Sequence, residues 1–227
     1  MNRTVLTSRR TALAAGVLAL ATVAGTAVAG SATAAVSPTV TPSATNAVDP
    51  NDPRAALLRA DQMPVVNDVQ HWSRVDTRST RLSRSQPAPL ASLGYTDKAR
   101  RDFAEPGAQA TSVVLTFADA AKAKAAYAEV KGWRKHTSDR IPSSGKLLFT
   151  SDPAAIAVPV GRASYFTFVY KTDRDADEGT FEWVGVTRRG AAVSIVAWRV
   201  NGADATYDVD PTIASVQTAN AKLARLG

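Results

Sequence analysis

Apolar positions recur with two different periods along this chain, and the change from one to the other marks out its elements. Between Gly161 and Val200 the runs RASYFTFVYK, FEWVGVTRRG and AAVSIVAWRV are dense in aromatic and β-branched residues, with Gly179, Gly190 and Gly202 at or beside their ends. That pattern predicts consecutive antiparallel strands. In the first of them Phe166, Phe168 and Tyr170 alternate with Tyr165, Thr167 and Val169, so it is apolar on both sides. One side is expected to meet helices, and the other to be covered by a loop or to line a groove. Upstream, Thr111 to Phe117 reads as a strand with Val113, Leu115 and Phe117 on one face. After it the period lengthens. Asp119 is a candidate N-cap, and Ala120 to Lys135 is the strongest helix, built mainly from Ala, Lys, Glu and Tyr without Pro. Ala123, Ala126, Tyr127, Val130 and Trp133 fall on its apolar side, and Lys122, Lys124, Glu129 and Lys131 on its wet side.

The remaining segments carry weaker patterns. AALLRA (55–60) predicts a short helix that ends before Pro64, and Val65 to Trp72 an extended piece. From Ser73 to Ala91 periodicity is lost in Arg, Ser, Thr and Pro, which predicts a solvated, loosely attached arm. Leu93 to Pro106 has no clear period, although Tyr95 and Phe103 are expected to reach the core. Ile141 to Gly145 is a turn, and 146–150 and 154–159 are short strands. Asp210 and Pro211 start a closing helix whose Ile213, Val216, Ala219 or Ala221, and Leu223 face the sheet. Strand runs without regular helical crossovers give an α+β fold, an antiparallel sheet of about five to six strands with helices packed on it.

The chain's start changes the charge balance. Arg3, Arg9 and Arg10, an apolar run from Ala12 to Ala29 and Ala32-Thr33-Ala34 have the build of an export signal covering 1–35, with Ala27-Val28-Ala29 as a second cleavage site. The adjacent Arg9 and Arg10 are compatible with a twin-arginine route. Residues 36–53, rich in Pro, Thr and Ser, read as a flexible linker, which leaves 54–227 as a single domain. Losing three arginines lowers the 27 basic side chains to 24 against 20 acidic ones, so the exported chain is mildly basic. A general nucleic-acid footprint is absent, and no membrane contact is expected after cleavage. The surplus sits between Arg74 and Arg101. With no Cys there is no disulfide and no thiolate metal site, so stability must come from core burial.

Catalytic chemistry is sparse. His71 and His136 are the two histidines; neither belongs to a zinc spacing, and no G-x-S-x-G elbow exists. Ser143-Ser144-Gly145-Lys146 matches S-x-x-K, but in a turn rather than on the helix that chemistry needs. Asp173, Asp175 and Asp177 alternate as candidate calcium ligands, yet Glu178 and Val184 stand where an EF-hand needs Gly and Glu, so an acidic hairpin tip is the plainer reading. No cofactor and no other metal site is expected. Arg74, Arg78, Arg81, Arg84, Arg100 and Arg101 are candidate contacts for an anionic polymer of the cell envelope, because clustered guanidinium groups pair bidentately with phosphate.

Leu57-Leu58-x-Ala60-Asp61-Gln62-Met63-Pro64, the strand Val113 to Phe117, the run Phe117-x-Asp119-Ala120-Ala121-x-Ala123-x-x-Ala126-Tyr127 leading to Trp133, and a late sheet before a closing helix together resemble the PknH-like extracellular sensor domains of actinobacterial secreted proteins and receptor kinases. The resemblance covers 54–227. It implies an α+β domain without catalytic machinery that binds a small apolar ligand in a cleft beside the sheet. Relatives commonly carry disulfides, which this chain lacks, and it has neither kinase nor transmembrane segment. The expected function is thus a secreted, non-catalytic binding or sensor-like domain at the cell surface, with Trp183, Trp198, Phe168, Tyr170 and Phe181 as cleft residues or as core. Two alternatives stand beside it: a cell-wall hydrolase using His71 or His136, and an envelope-adhering protein held by the basic arm.

Overall fold

The computed structural model describes residues 49, 52–65, 71–76, 79–172, 179–202 and 210–226, all within the unit Asn46–Gly227. The expected export signal, most of the expected linker, Arg78 and the acidic run 173–178 lie outside the described residues. The fold is α+β, and its centre is one antiparallel sheet. Strands β1 (Ser73–Val75), β2 (Asp97–Glu105), β3 (Ala108–Thr116), β4 (Lys146–Thr150), β5 (Ala154–Ile156), β6 (Arg162–Lys171), β7 (Thr180–Arg189) and β8 (Ala192–Asn201) run in the order β1-β2-β3-β8-β7-β6-β4. β5 pairs with another stretch of β6, at Ala163 to Tyr165. Eight strands replace the expected five or six, chiefly because β1 and β2 join the sheet. β2 escapes a period-two reading since DKARRDFAE is mostly charged and only Ala99 and Phe103 are fully buried. Its charges are satisfied locally: Arg100 holds Asp102 two residues on through paired bonds of 2.9 Å, and the Arg101 guanidinium donates to the Leu58 carbonyl at 2.8 Å.

Side-chain alternation gives the sheet two apolar faces, and each receives one long helix. Helix α1 (Ala120–Gly132) lays Ala123, Ala126 and Val130 on a face built from Val113, Leu115, Phe166, Phe168, Val184 and Ile195. A short helix, α2 (Thr137–Arg140), follows a 3-10 turn at Trp133–His136, so the predicted helix ends three residues early. Asp119 caps α1 as expected, accepting the Lys122 N–H at 2.8 Å. Helix α3 (Pro211–Leu223) packs Val216 and Ala219 on the opposite face, against Ala110, Ala163, Trp183, Val196 and Trp198. Ala219 is buried and Ala221 is exposed, which resolves the two choices for that stripe. The expectation of helices on one side only is thus corrected: Trp183 and Trp198 need cover as much as Phe166 and Phe168 do.

α3 comes very close to β7, because Gly185 has no side chain. A Cβ built there would stand 2.2 Å from Val216 Cγ2. On the same face Trp183 and Trp198, directly opposed across β7 and β8, stack with centroids 3.9 Å apart and planes 7° from parallel. The Trp198 indole N–H donates to Thr212 Oγ1 of α3 at 2.9 Å.

The predicted helix at 55–60 is instead two 3-10 turns, Pro53–Ala56 and Ala60–Gln62, around an extended Leu57. The extended link sends Leu57 and Leu58 into different core clusters, which adjacent helical positions could not share so widely. At the sheet's outer margin β4 leaves Leu148 and Phe149 exposed, and a bulge interrupts its pairing between Leu147 and Phe149.

Candidate functional site: a strapped cleft on the helix α1 face

Helix α1 covers only part of its face. Beyond it the chain uses the segment predicted as a solvated arm, and here that expectation is corrected. Ser83, Ser85, Gln86 and Leu90 are buried, and Leu82 and Leu90 pack into the α1-side core. Residues 79–86 form a strap fixed at two points. The Arg100 guanidinium of β2 donates to the Ser79 carbonyl at 2.7 Å, and Glu182 Oε1 of β7 accepts the Arg84 N–H at 2.8 Å. β3 and β8 lie between those two anchors in the sheet order, so the strap bridges across them. Inside the strap Gln86 Oε1 accepts the Leu82 N–H, and Ser83 and Ser85 share a hydroxyl contact of 2.8 Å. Polar side chains thus take the part that apolar ones take elsewhere, which is why the segment reads as loop in sequence.

Between strap and sheet lies a cleft of about 400 Å³, lined by Arg81 and Arg84 from the strap, Arg100 and Asp102 from β2, Gln109 and Thr111 from β3, and Ala197 and Arg199 from β8, among others. A second hollow of about 480 Å³ adjoins it at the sheet's end, where Tyr170, Thr180 and Asn201 contribute. Arg84, Ala104, Gln109 and Arg199 belong to both walls, so the two hollows meet at a waist. Each is of a size that suits a small ligand.

The charges here are unevenly matched. Arg100 is neutralised by Asp102, which Thr111 Oγ1 also supports at 2.7 Å. Arg84 lies on the Tyr170 ring, 5.5 Å from its centroid, and Arg199 donates to the neutral Gln109 Oε1. Glu182 sits directly opposite Arg199 in the β7–β8 register and is almost wholly enclosed. Burial pushes its carboxyl upward, against the hydrogen bonds from Ser83 and the Arg84 N–H and the positive charges of Arg199 and Arg84. Its Oε2 has no hydrogen-bond partner among the described residues. Burial likewise raises the Tyr170 phenol, with the Glu182 charge adding to the effect and Arg84 opposing it. In the second hollow, burial raises Glu105, and the nearby His71 opposes it.

The aromatic set Trp183, Trp198, Phe168, Tyr170 and Phe181 does not line one cleft. Phe168 and Tyr170 belong to the α1-side core, whereas Trp183, Trp198 and the half-buried Phe181 belong to the α3 side. Aromatic side chains occupy both faces of a sheet covered on both faces. Of the arginines singled out from sequence, Arg81, Arg84 and Arg100 converge on the cleft. Arg74 and Arg101 project to the other face, as their register opposite Phe103 and beside it requires. His71 and His136 are both exposed. Sequence reasoning missed Arg199 and Glu182. The signal available was a charge set among apolar residues: Arg199 is the one charged residue of β8, and Glu182 stands between Phe181 and Trp183 in β7.

No model of a known protein family matches the chain, and no curated protein is similar to it in sequence. Among solved structures, the extracellular domain of PknH from Mycobacterium tuberculosis is similar at 15% sequence identity and a TM-score of 0.44, over 78% of this chain and 97% of that one. This is a structural relationship and not a family assignment. Among the described residues no helix is long and apolar enough to cross a membrane.

Proposed function

We propose that this chain is a recognition domain, exported and then acting at or outside the cell surface, that holds a small polar ligand in the strapped cleft without transforming it. The observation that carries the reading is the strap itself. Anchored by Arg100 at one end and Glu182 at the other, it keeps a concave, polar-walled space open over β3 and β8. Guanidinium, hydroxyl and amide groups line that space, and such groups orient and retain a ligand by hydrogen bonding. Export is supported by the arginines, apolar run and small-residue cleavage sites of 1–35. The apolar cleft implied by the family resemblance gives way to a polar one in this reading, because the aromatics it needs are packed in the two cores.

The test is to fill the waist. Ala104 lines both hollows and lies on the strap side of β2, so Ala104→Trp puts an indole where the two spaces meet. Titration calorimetry with a panel of sugars, amino acids and small organic acids should find one-to-one binding to the wild-type chain that A104W abolishes. Leu148→Ser, on the far margin of the sheet, should leave it intact. Binding that survives in a folded A104W protein overturns the reading.

A further inference from the structure

We infer that the waist of the cleft is an oxyanion site, in which Arg84 and Arg199 grip a phosphate or carboxylate group of the ligand. This rests on the cleft reading and narrows it to one ligand class.

The first argument is charge. Among the described residues no carboxylate lies within ion-pair distance of Arg81, Arg84 or Arg199, whereas Arg100 in the same cleft is held by Asp102 at 2.8 Å. Glu182, which stands opposite Arg199 in the β7–β8 register, accepts the Arg84 backbone N–H at Oε1 and is enclosed so fully that its charged form is disfavoured. Unbalanced guanidinium charge in a concave, partly desolvated space focuses a positive field on whatever enters.

The second argument is geometry. Arg84 comes from the strap and Arg199 from β8, so the two reach the waist from different elements. Each is steadied by a neutral partner, the Tyr170 ring for Arg84 and the Gln109 amide oxygen for Arg199. A guanidinium so steadied loses little freedom on binding, and its planar fork matches the paired oxygens of a phosphate or carboxylate. A surface arginine kept only for solubility would need neither partner.

The experiment uses the full chain with inorganic phosphate and with acetate at matched ionic strength, glycerol being the neutral control. Binding is read by titration and by the NMR shifts of the arginine Nε–H groups. Phosphate, acetate or both should bind in competition at one site, and the relative affinities say which source of oxyanion the site prefers. R84Q and R199Q should each weaken binding on the order of tenfold or more, as loss of a charge-assisted hydrogen bond does. R199K should retain part of the affinity, and R74Q all of it. If R199Q does not fold, R84Q and R199K carry the test. Anion binding equal to the glycerol control, or unchanged in R84Q, overturns the inference. If a neutral compound then still binds and A104W blocks it, the cleft reading stands without the anion. If A104W blocks nothing, both fall.

Discussion

Arg84 and Glu182 stand 98 residues apart in the chain and meet through one hydrogen bond, the backbone N–H of the first giving to Oε1 of the second at 2.8 Å. It ties the strap to the sheet at a carboxylate that burial makes unfavourable to ionise. Because the folded-state pKa is raised, folding favours the protonated group. The stability gained is full below the ordinary value of 4.5 and is lost as pH rises through the higher folded-state value. Glu182→Gln removes that slope. Urea unfolding across pH 4 to 8 should therefore show E182Q gaining on wild type as pH rises. Glu182→Ala leaves the Arg84 N–H without its acceptor and should cost about 1–3 kcal/mol at acid pH.

The Trp183–Trp198 stack joins β7, β8 and α3. Trp198→Ala should destabilise by about 3–5 kcal/mol, the range for emptying a buried aromatic site. Trp198→Phe keeps most of the ring contact and loses the bond to Thr212, for about 0.5–1.5 kcal/mol from the hydrogen bond plus a smaller packing loss. Thr212→Val in the W198F background should then cost less than in wild type. Additive losses in a double-mutant cycle would show that the bond carries no coupling.

Gly185 sets the distance between α3 and the sheet. Gly185→Ala drives a methyl into Val216 Cγ2, 2.2 Å away on an unshifted backbone, and should destabilise by about 1–3 kcal/mol. Val216→Ala makes room on the same spot, so the double variant should recover part of the G185A loss, which denaturant melts of the four proteins would reveal.

Asp119 accepts the Lys122 N–H at the start of α1. Asp119→Ala should cost about 1 kcal/mol, and Asp119→Ser much less, since a hydroxyl can still cap. Equal losses in thermal unfolding would assign the effect to something other than the cap.

β6, β7, β8, α1 and α3 are legible in sequence because their apolar positions keep one period over ten residues or more and their ends carry Gly, Asp or Pro. β2 is not, because Arg100, Arg101 and Asp102 are held by each other and by the Leu58 carbonyl, a solution that charge patterns do not announce. The strap is hidden for the same reason. Ser83, Ser85 and Gln86 are buried with local hydrogen bonds in a segment whose tie to β7, from the Arg84 N–H to Glu182, spans 98 residues. The cleft was half visible: Arg81, Arg84 and Arg100 form a run in sequence, but Arg199 reaches them only through the β3–β8 pairing, where it stands opposite Gln109.

The interruption in β4 has its own effect. Leu148 and Phe149 lie in water on a sheet margin, where a foreign strand would find both grease and free amides. Since the pairing shifts between Leu147 and Phe149, an intruder that docked on the first residues would fall out of step before completing a ladder. Such a misalignment disfavours edge-to-edge growth at a greasy margin that the fold leaves uncovered.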